Sequence, residues 1–206
     1  MSLIELSEQE IQRRESLQKL RDLGIDPYPA ALFPVNSSAK EIKSDFEDGK
    51  HVCIAGRMMS QRVMGKASFA ELQDASGRIQ IYINRDEICP DEDKTLYNEI
   101  FKKLLDLGDF IGVEGKVFKT QVGEISIHVT KLTLLAKALR PLPLPKIDAE
   151  GRIHDAFTDA EMRSRQRYVD LVVNPHVKDT FVKRSKTYST DWTLLDVVAI
   201  LNLFIK

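Results

Sequence analysis

The stretch GKASFAELQDASGRIQIYI, residues 65–83, decides the fold. Ile79, Ile81 and Ile83 share one side of a strand, because successive strand side chains point to opposite faces. Ser68, Ala70 and Leu72 alternate in the same way just upstream, and DASG (74–77) supplies turn chemistry between the two runs. With the isoleucines facing a core, Gln80 and Tyr82 face away from it. With Ala70 and Leu72 facing the same core, Phe69, Glu71 and Gln73 also face away. Phe69 is then an aromatic side chain on the wet side of a sheet.

The alternation continues on both sides of this stretch. Val52, Ile54 and Met58 mark a preceding strand that starts near His51. The runs 110–119 and 125–135 give two more strands, joined by a turn at Gly123. Thr95–Leu105 has helical spacing and exits at Leu107-Gly108-Asp109. Five strands with a helix between the third and fourth fit an OB-fold, a small Greek-key barrel that binds oligonucleotides. In the last strand Ile125, Ile127 and Val129 face inward, which turns Glu124, Ser126 and His128 outward. Arg62 and Lys66 fall in or beside the loop between the first two strands.

Upstream, Ser7 with Glu10 and Ser38 with Glu41 read as capping boxes, with stops at Gly24 and Gly49. They predict helices from Glu8 to about Leu23 and across Lys40–Asp48, joined by the Pro-broken DPYPAALFP (26–34). Downstream, LRPLPLPK (139–146) favours an extended connector. Thr158 with Glu161 predicts a cap ahead of MRSRQRYVDLVV (162–173), and Asn174-Pro175 ends that helix and starts another near Val177. The expected class is α+β, mainly β. The expected segments are 1–49 helical, 50–137 OB-fold, 138–160 Pro-rich linker and 161–206 a C-terminal helical part.

Composition narrows the chemistry. The 206 residues carry a formal net charge of −1, so no global basic field marks the chain as a nucleic-acid binder. From Lys50 to Arg85, however, six Lys and Arg stand against two acids. Two cysteines, Cys53 and Cys89, make no disulfide framework and suit a reducing cytoplasm. No signal peptide is read at the N-terminus, and no apolar stretch reaches the roughly 18 residues of a membrane span. His51, His128, His154 and His176 are scattered without metal-ligand spacing, and no P-loop, Rossmann fingerprint or nucleophile elbow occurs. The glycines of GDFIGVEG (108–115) sit in an alternating strand, where they permit barrel curvature.

Phe69, Gln80, Tyr82, Glu124 and His128 therefore share an outer face, with Arg62 and Lys66 beside it. A single-stranded nucleic-acid reader needs these residue types. An aromatic ring stacks an unpaired base, an amide or carboxylate reads its edge, and cations neutralise phosphate. Parity leaves a second reading open, in which a helix or loop covers Phe69 and Gln80 is merely solvated.

At these residues the sequence resembles the N-terminal part of the bacterial class II lysyl-tRNA synthetase family. The matching segments are AGRMMSQRVMGKASFAELQDASGRIQIY, LGDFIGVEGKVFKTQVGEISI, LLAKALRPLP and RQRYVDLVVNPHVKDTFVKRS, spanning about Leu6 to Lys186. The resemblance implies that the OB domain binds the U-rich anticodon of lysine tRNA. Phe69 would stack on the middle uridine, Gln80 would hydrogen-bond it, Arg62 would contact the same nucleotides, and Glu124 would read a neighbouring base. Lys66, Tyr82 and His128 are additional candidates. The Phe/Gln/Arg set is shared with aspartyl and asparaginyl relatives, so the lysine assignment rests on the longer segments.

The resemblance further implies a lysine–tRNA ligase that uses ATP and magnesium, forms a homodimer when full-length and works in the cytoplasm without a membrane. The segment from RSRQRYVDL onward begins its catalytic domain, with Phe181 and Arg184 matching the opening of the first class II signature motif. After Lys186 the sequence departs, and TYSTDWTLLDVVAILNLFIK (187–206) lacks the Gly and Pro that this motif requires. Motifs two and three, which hold ATP, magnesium and lysine in the family, are absent from these 206 residues. The chain alone is therefore expected to be inactive in aminoacylation and to hold neither metal nor cofactor. Its apolar tail is expected to pack poorly. The alternatives are a free-standing tRNA or single-strand binding module, and a remnant without function.

Overall fold

The alternating runs form strands at the expected places. They are β1 (His51–Met64), β2 (Ala67–Gln73), β3 (Arg78–Asn84), β4 (Phe110–Lys119) and β5 (Ile125–Ala136). The computed structural model describes the backbone of residues 6–143, 146–147, 153–154 and 157–204, and the side chains of residues 6–143 and 157–190. β1 is antiparallel to both β2 and β4, β3 is antiparallel to β2 and parallel to β5, and β5 is antiparallel to β4. The pairing closes a barrel in the order β1-β2-β3-β5-β4. Ile54, Leu72, Ile79, Ile81, Ile83, Ile111 and Ile127 fill its interior and are 2% exposed or less. Each contributes about 1.5–3 kcal/mol by leaving water.

Among the described residues the pairing shifts register at three places, once between β1 and β2 and twice between β4 and β5. Met58 pairs with Leu72 and Ser60 with Glu71, so Met59 is an extra residue in β1. Met58 and Met59 are both buried, and beyond this bulge the parity of β1 reverses. Another lies where β4 passes β5 with a shift between Glu114 and Gly115. A side chain at Gly115 would sit 2.1 Å from the His128 carbonyl oxygen, so the close approach requires glycine.

Between β3 and β4 lie a short helix, α3 (Arg85–Ile88), and a π-helix over Leu96–Leu104, where the apolar spacing predicted an ordinary helix. Leu105 N–H donates to Ile100 five residues back at 2.9 Å, while Gln61 Nε2 takes the Phe101 carbonyl at 2.8 Å. A barrel side chain competing for a backbone carbonyl widens the ladder. Tyr97 and Phe101 are fully buried, and the Tyr97 hydroxyl lies 2.8 Å from Ser68 Oγ.

Both predicted capping boxes form, at α1 (Glu8–Asp22) and α2 (Ala39–Ser44). The second helix is shorter than expected and ends at Ser44, with Asp45 as its C-cap. It is fastened to the β2–β3 turn, since Asp74 Oδ2 accepts from Ala39 N–H at 2.7 Å and Ser76 Oγ from Lys40 N–H at 3.0 Å. Arg13 of α1 donates to the carbonyls of Leu107 and Ala138, at 2.8 and 3.0 Å. Nearby, Lys137 Nζ is fully buried against Asp109 Oδ2 at 2.8 Å, the Leu104 carbonyl at 2.7 Å and Asp106.

The chain divides into two compact units, residues 1–141 and 142–206. The second contains the short antiparallel pair β6 (Lys146–Ile147) and β7 (Ile153–His154), then α4 (Ala160–Arg165), α5 (Arg167–Val173) and α6 (Pro175–Phe204). The cap of α4 is Asp159, accepting from Met162 N–H at 2.7 Å, and not Thr158 as expected, because Asp159 is the residue whose carboxylate reaches that donor. The expected single helix over 162–173 breaks at Gln166. Among the described residues no helix is long and apolar enough to cross a membrane. The expectation that the apolar tail packs poorly falls, from Asp191 onward, on side chains outside those described.

Candidate nucleic-acid interface

Register converts the alternating pattern into two rows across the outer face of the sheet. Arg62, Phe69, Tyr82, His128 and Lys116 are successive partners in one row. Ser60, Glu71, Gln80, Ser126 and Phe118 form the next. Neighbouring strands lie about 4.8 Å apart, so a nucleobase laid on Phe69 also reaches Gln80 or Arg62. Arg62 lies near the end of β1, beside the loop between the first two strands as the sequence pattern placed it. The Met59 bulge turns it onto the face of Phe69, its direct partner. Lys66 does occupy the β1–β2 turn, exposed.

A groove of about 680 Å³ opens over part of these rows. Phe69, Glu71 and Gln80 lie on its floor. Ser60, Arg62 and Met64 from the end of β1 line it with Thr120, Val122 and Glu124 from the β4–β5 turn. The four anticodon candidates of the sequence reading, Arg62, Phe69, Gln80 and Glu124, thus meet in one place. Tyr82 and His128 share the outer face but do not line the groove, and neither does Lys66. Phe69 is half-buried and lines the groove, with its ring 5.1 Å from the Tyr82 ring. Tyr82 in turn packs edge-on against His128 at 5.1 Å and Phe118 at 6.0 Å. His128 Nε2 stands 2.6 Å from Glu87 Oε2. Tyr82, braced by these rings, packs against Phe69, which lines the groove.

The polar groups are oriented before any ligand arrives. Ser126 Oγ donates to Gln80 Oε1 at 2.8 Å, which fixes the amide and leaves its nitrogen to donate to a base carbonyl. Ser126 faces outward as parity required, yet Gln80 and its neighbours bury it completely. Sequence reasoning gave Ser126 no role; its direct pairing with Gln80 through the parallel β3–β5 register was the missing signal. Glu124 precedes β5, in a turn closed by Thr120 N–H to the Glu124 carbonyl at 2.9 Å. It reaches the groove from the side, with one carboxylate oxygen 3.0 Å from Lys43 Nζ of α2. Arg62 is exposed and makes no ion pair among the described residues. The arrangement offers a stacking surface, an oriented amide donor, an anionic acceptor and an unpaired guanidinium. Among the described residues no three His, Cys, Asp or Glu side chains are grouped to hold a metal ion.

Comparison with known proteins agrees with the fold. Residues 52–135 match the tRNA anti-codon family, described as an OB-fold nucleic acid binding domain. The chain is 63% identical over 185 residues to a lysine–tRNA ligase of Christiangramia forsetii, covering 90% of this chain and 32% of that protein. It is 60% identical over 195 residues to the lysine–tRNA ligase of Porphyromonas gingivalis, covering 92% and 34%. With Azobacteroides pseudotrichonymphae the identity is 56% over 188 residues, covering 90% and 37%. The chain therefore spans about a third of the length of the curated relatives it matches. Over nine-tenths of its length the chain is similar to lysine–tRNA ligases, and its barrel matches an OB-fold nucleic acid binding domain.

Proposed function

We propose that the groove binds the unpaired, U-rich anticodon bases of lysine tRNA, and that the chain is the anticodon-binding portion of a lysine–tRNA ligase. The observation that carries this reading is the convergence of Arg62, Phe69, Gln80 and Glu124 on one groove. A uracil stacked on Phe69 presents carbonyl oxygens to the Gln80 amide and an N3–H to a carboxylate. Cytosine carries an amino group in place of the uracil O4 and would set an N–H donor against the Gln80 N–H. Arg62 supplies positive charge at the same end.

ATP-dependent attachment of lysine, with magnesium and a homodimer, is assigned to the whole enzyme in the cytoplasm. No step of it is routed through the residues described here. The chain by itself is proposed to bind tRNA without charging it.

The test is fluorescence anisotropy with a labelled anticodon hairpin carrying UUU in its loop, compared with AAA and CCC loops and a blunt duplex. The UUU loop should bind tightest, with affinity falling as salt rises. Equal affinity for all four would refute the reading. ATP–pyrophosphate exchange with lysine should be absent for the 206-residue chain, and clear exchange would refute the assignment of catalysis elsewhere.

A further inference from the structure

A second depression of about 390 Å³ lies between α2 and the β2–β3 turn. Its lining includes Lys40, Lys43, Ser76 and Arg78, and none of its lining residues is acidic. Two ion pairs separate it from the groove. Glu124 lines the groove and pairs with Lys43, which lines the second depression, at 3.0 Å. Glu71 lines the groove and pairs with Arg78, which lines the second depression, at 3.2 Å. Both pairs point the same way, with carboxylates toward the groove and cations toward the cleft. Lys40 makes no ion pair among the described residues.

This division matches the two halves of a nucleotide. Bases carry N–H donors that suit carboxylates, whereas the phosphodiester is an anion that suits cations. We propose that the cleft formed by Lys40, Lys43 and Arg78 binds a phosphodiester of the same single-stranded RNA whose base lies in the groove. The proposal rests on the groove holding a base. Ser76 takes no part: its hydroxyl donates to Asp74 Oδ1 at 2.7 Å and accepts from Lys40 N–H. Asp74 does not oppose the anion, because its carboxylate is taken up by the N–H groups of Ala39, Ser76 and Gly77 and by that hydroxyl. Lys43 and Arg78 are each about two-fifths exposed, and such pairs are worth only about 0–1 kcal/mol. An incoming phosphate can therefore share both cations at little cost.

The test uses the full chain, the UUU hairpin and two variants, Lys40→Gln and the double variant Lys43→Gln/Arg78→Gln. Each lost phosphate contact should flatten the plot of log affinity against log salt by about 0.7. Between 50 and 200 mM salt, affinity should then fall about 2.6-fold less per lost contact than in the wild type. Lys40→Gln should leave the ratio of UUU to CCC affinity unchanged, since it touches neither Glu124 nor Glu71. Replacing single loop phosphates by neutral methylphosphonates should reveal one position at which wild type and Lys40→Gln bind alike. Wild-type salt slopes in both variants, or a Lys40→Gln penalty that survives every neutral linkage, would overturn the proposal while leaving the groove reading intact. Failure of the wild type to prefer the UUU hairpin would overturn both.

Discussion

Replacing Phe69 with alanine removes the ring on which a base is proposed to stack. Stacking on an aromatic side chain is worth about 1–3 kcal/mol per base, so affinity for the UUU hairpin should fall roughly 5- to 150-fold. The side chain also touches Tyr82, at 5.1 Å between centroids, and such aromatic pairs contribute about 0.5–1.5 kcal/mol. The fold should tolerate that loss, because Phe69 lies outside the isoleucine-filled interior. Phe69→Leu separates the two effects, since it keeps apolar contact with Tyr82 and offers no π-face. Leucine should bind RNA nearly as poorly as alanine while unfolding in urea nearly as late as the wild type. Phe69→Tyr should bind within about threefold of the wild type, as it keeps the stacking face. Anisotropy titrations at fixed salt read the affinities. A hairpin with an abasic middle nucleotide provides the control, because without a base the gap between wild type and Phe69→Ala should close. An undiminished gap on the abasic hairpin would show that the ring acts by packing Tyr82, and the stacking argument would fail.

Lys137→Met should be the most damaging of the single substitutions considered. It leaves the fully buried Asp109 carboxylate without its cation, a loss of about 3–5 kcal/mol measurable as an earlier urea midpoint. Removal of the exposed Lys43–Glu124 pair should cost no more than about 1 kcal/mol in the same assay. Asp74 predicts a pH effect. Burial opposes its charged form, but hydrogen bonds from Ala39, Ser76 and Gly77 outweigh that and hold its carboxyl below the usual range. The unfolded chain then binds more protons near the ordinary value of about 3.9, so stability is present above that pH and is lost as pH falls through the lowered native value. Asp74→Asn should be less stable than the wild type at pH 6 and should lose less of its stability between pH 5 and 2. Parallel acid limbs in urea unfolding would contradict this.

The sequence by itself determined the strands, the inward isoleucines and the outward placement of Phe69, Gln80 and Tyr82, because each follows from a period of two within one strand. Both N-terminal capping boxes were legible for the same reason, as their partners stand three residues apart. The longer segments carried the resemblance to lysyl-tRNA synthetases. What crossed between strands was not legible. Met59 as a bulge, and with it Arg62 beside Phe69, depends on the ladder with β2, since two buried methionines in succession look locally like a break in alternation. Ser126 beneath Gln80 depends on the parallel pairing of β3 with β5, and the π-helical 96–104 on a glutamine donated from β1. The groove required the β4–β5 turn to be placed beside the sheet, and the placing of α2 brought Lys43 to Glu124 across 81 positions of the chain. Local periodicity fixes the direction of a side chain relative to its own strand. Only closure of the barrel fixes which side chains of other strands stand beside it, because register is set by bulges and packing that no single strand encodes.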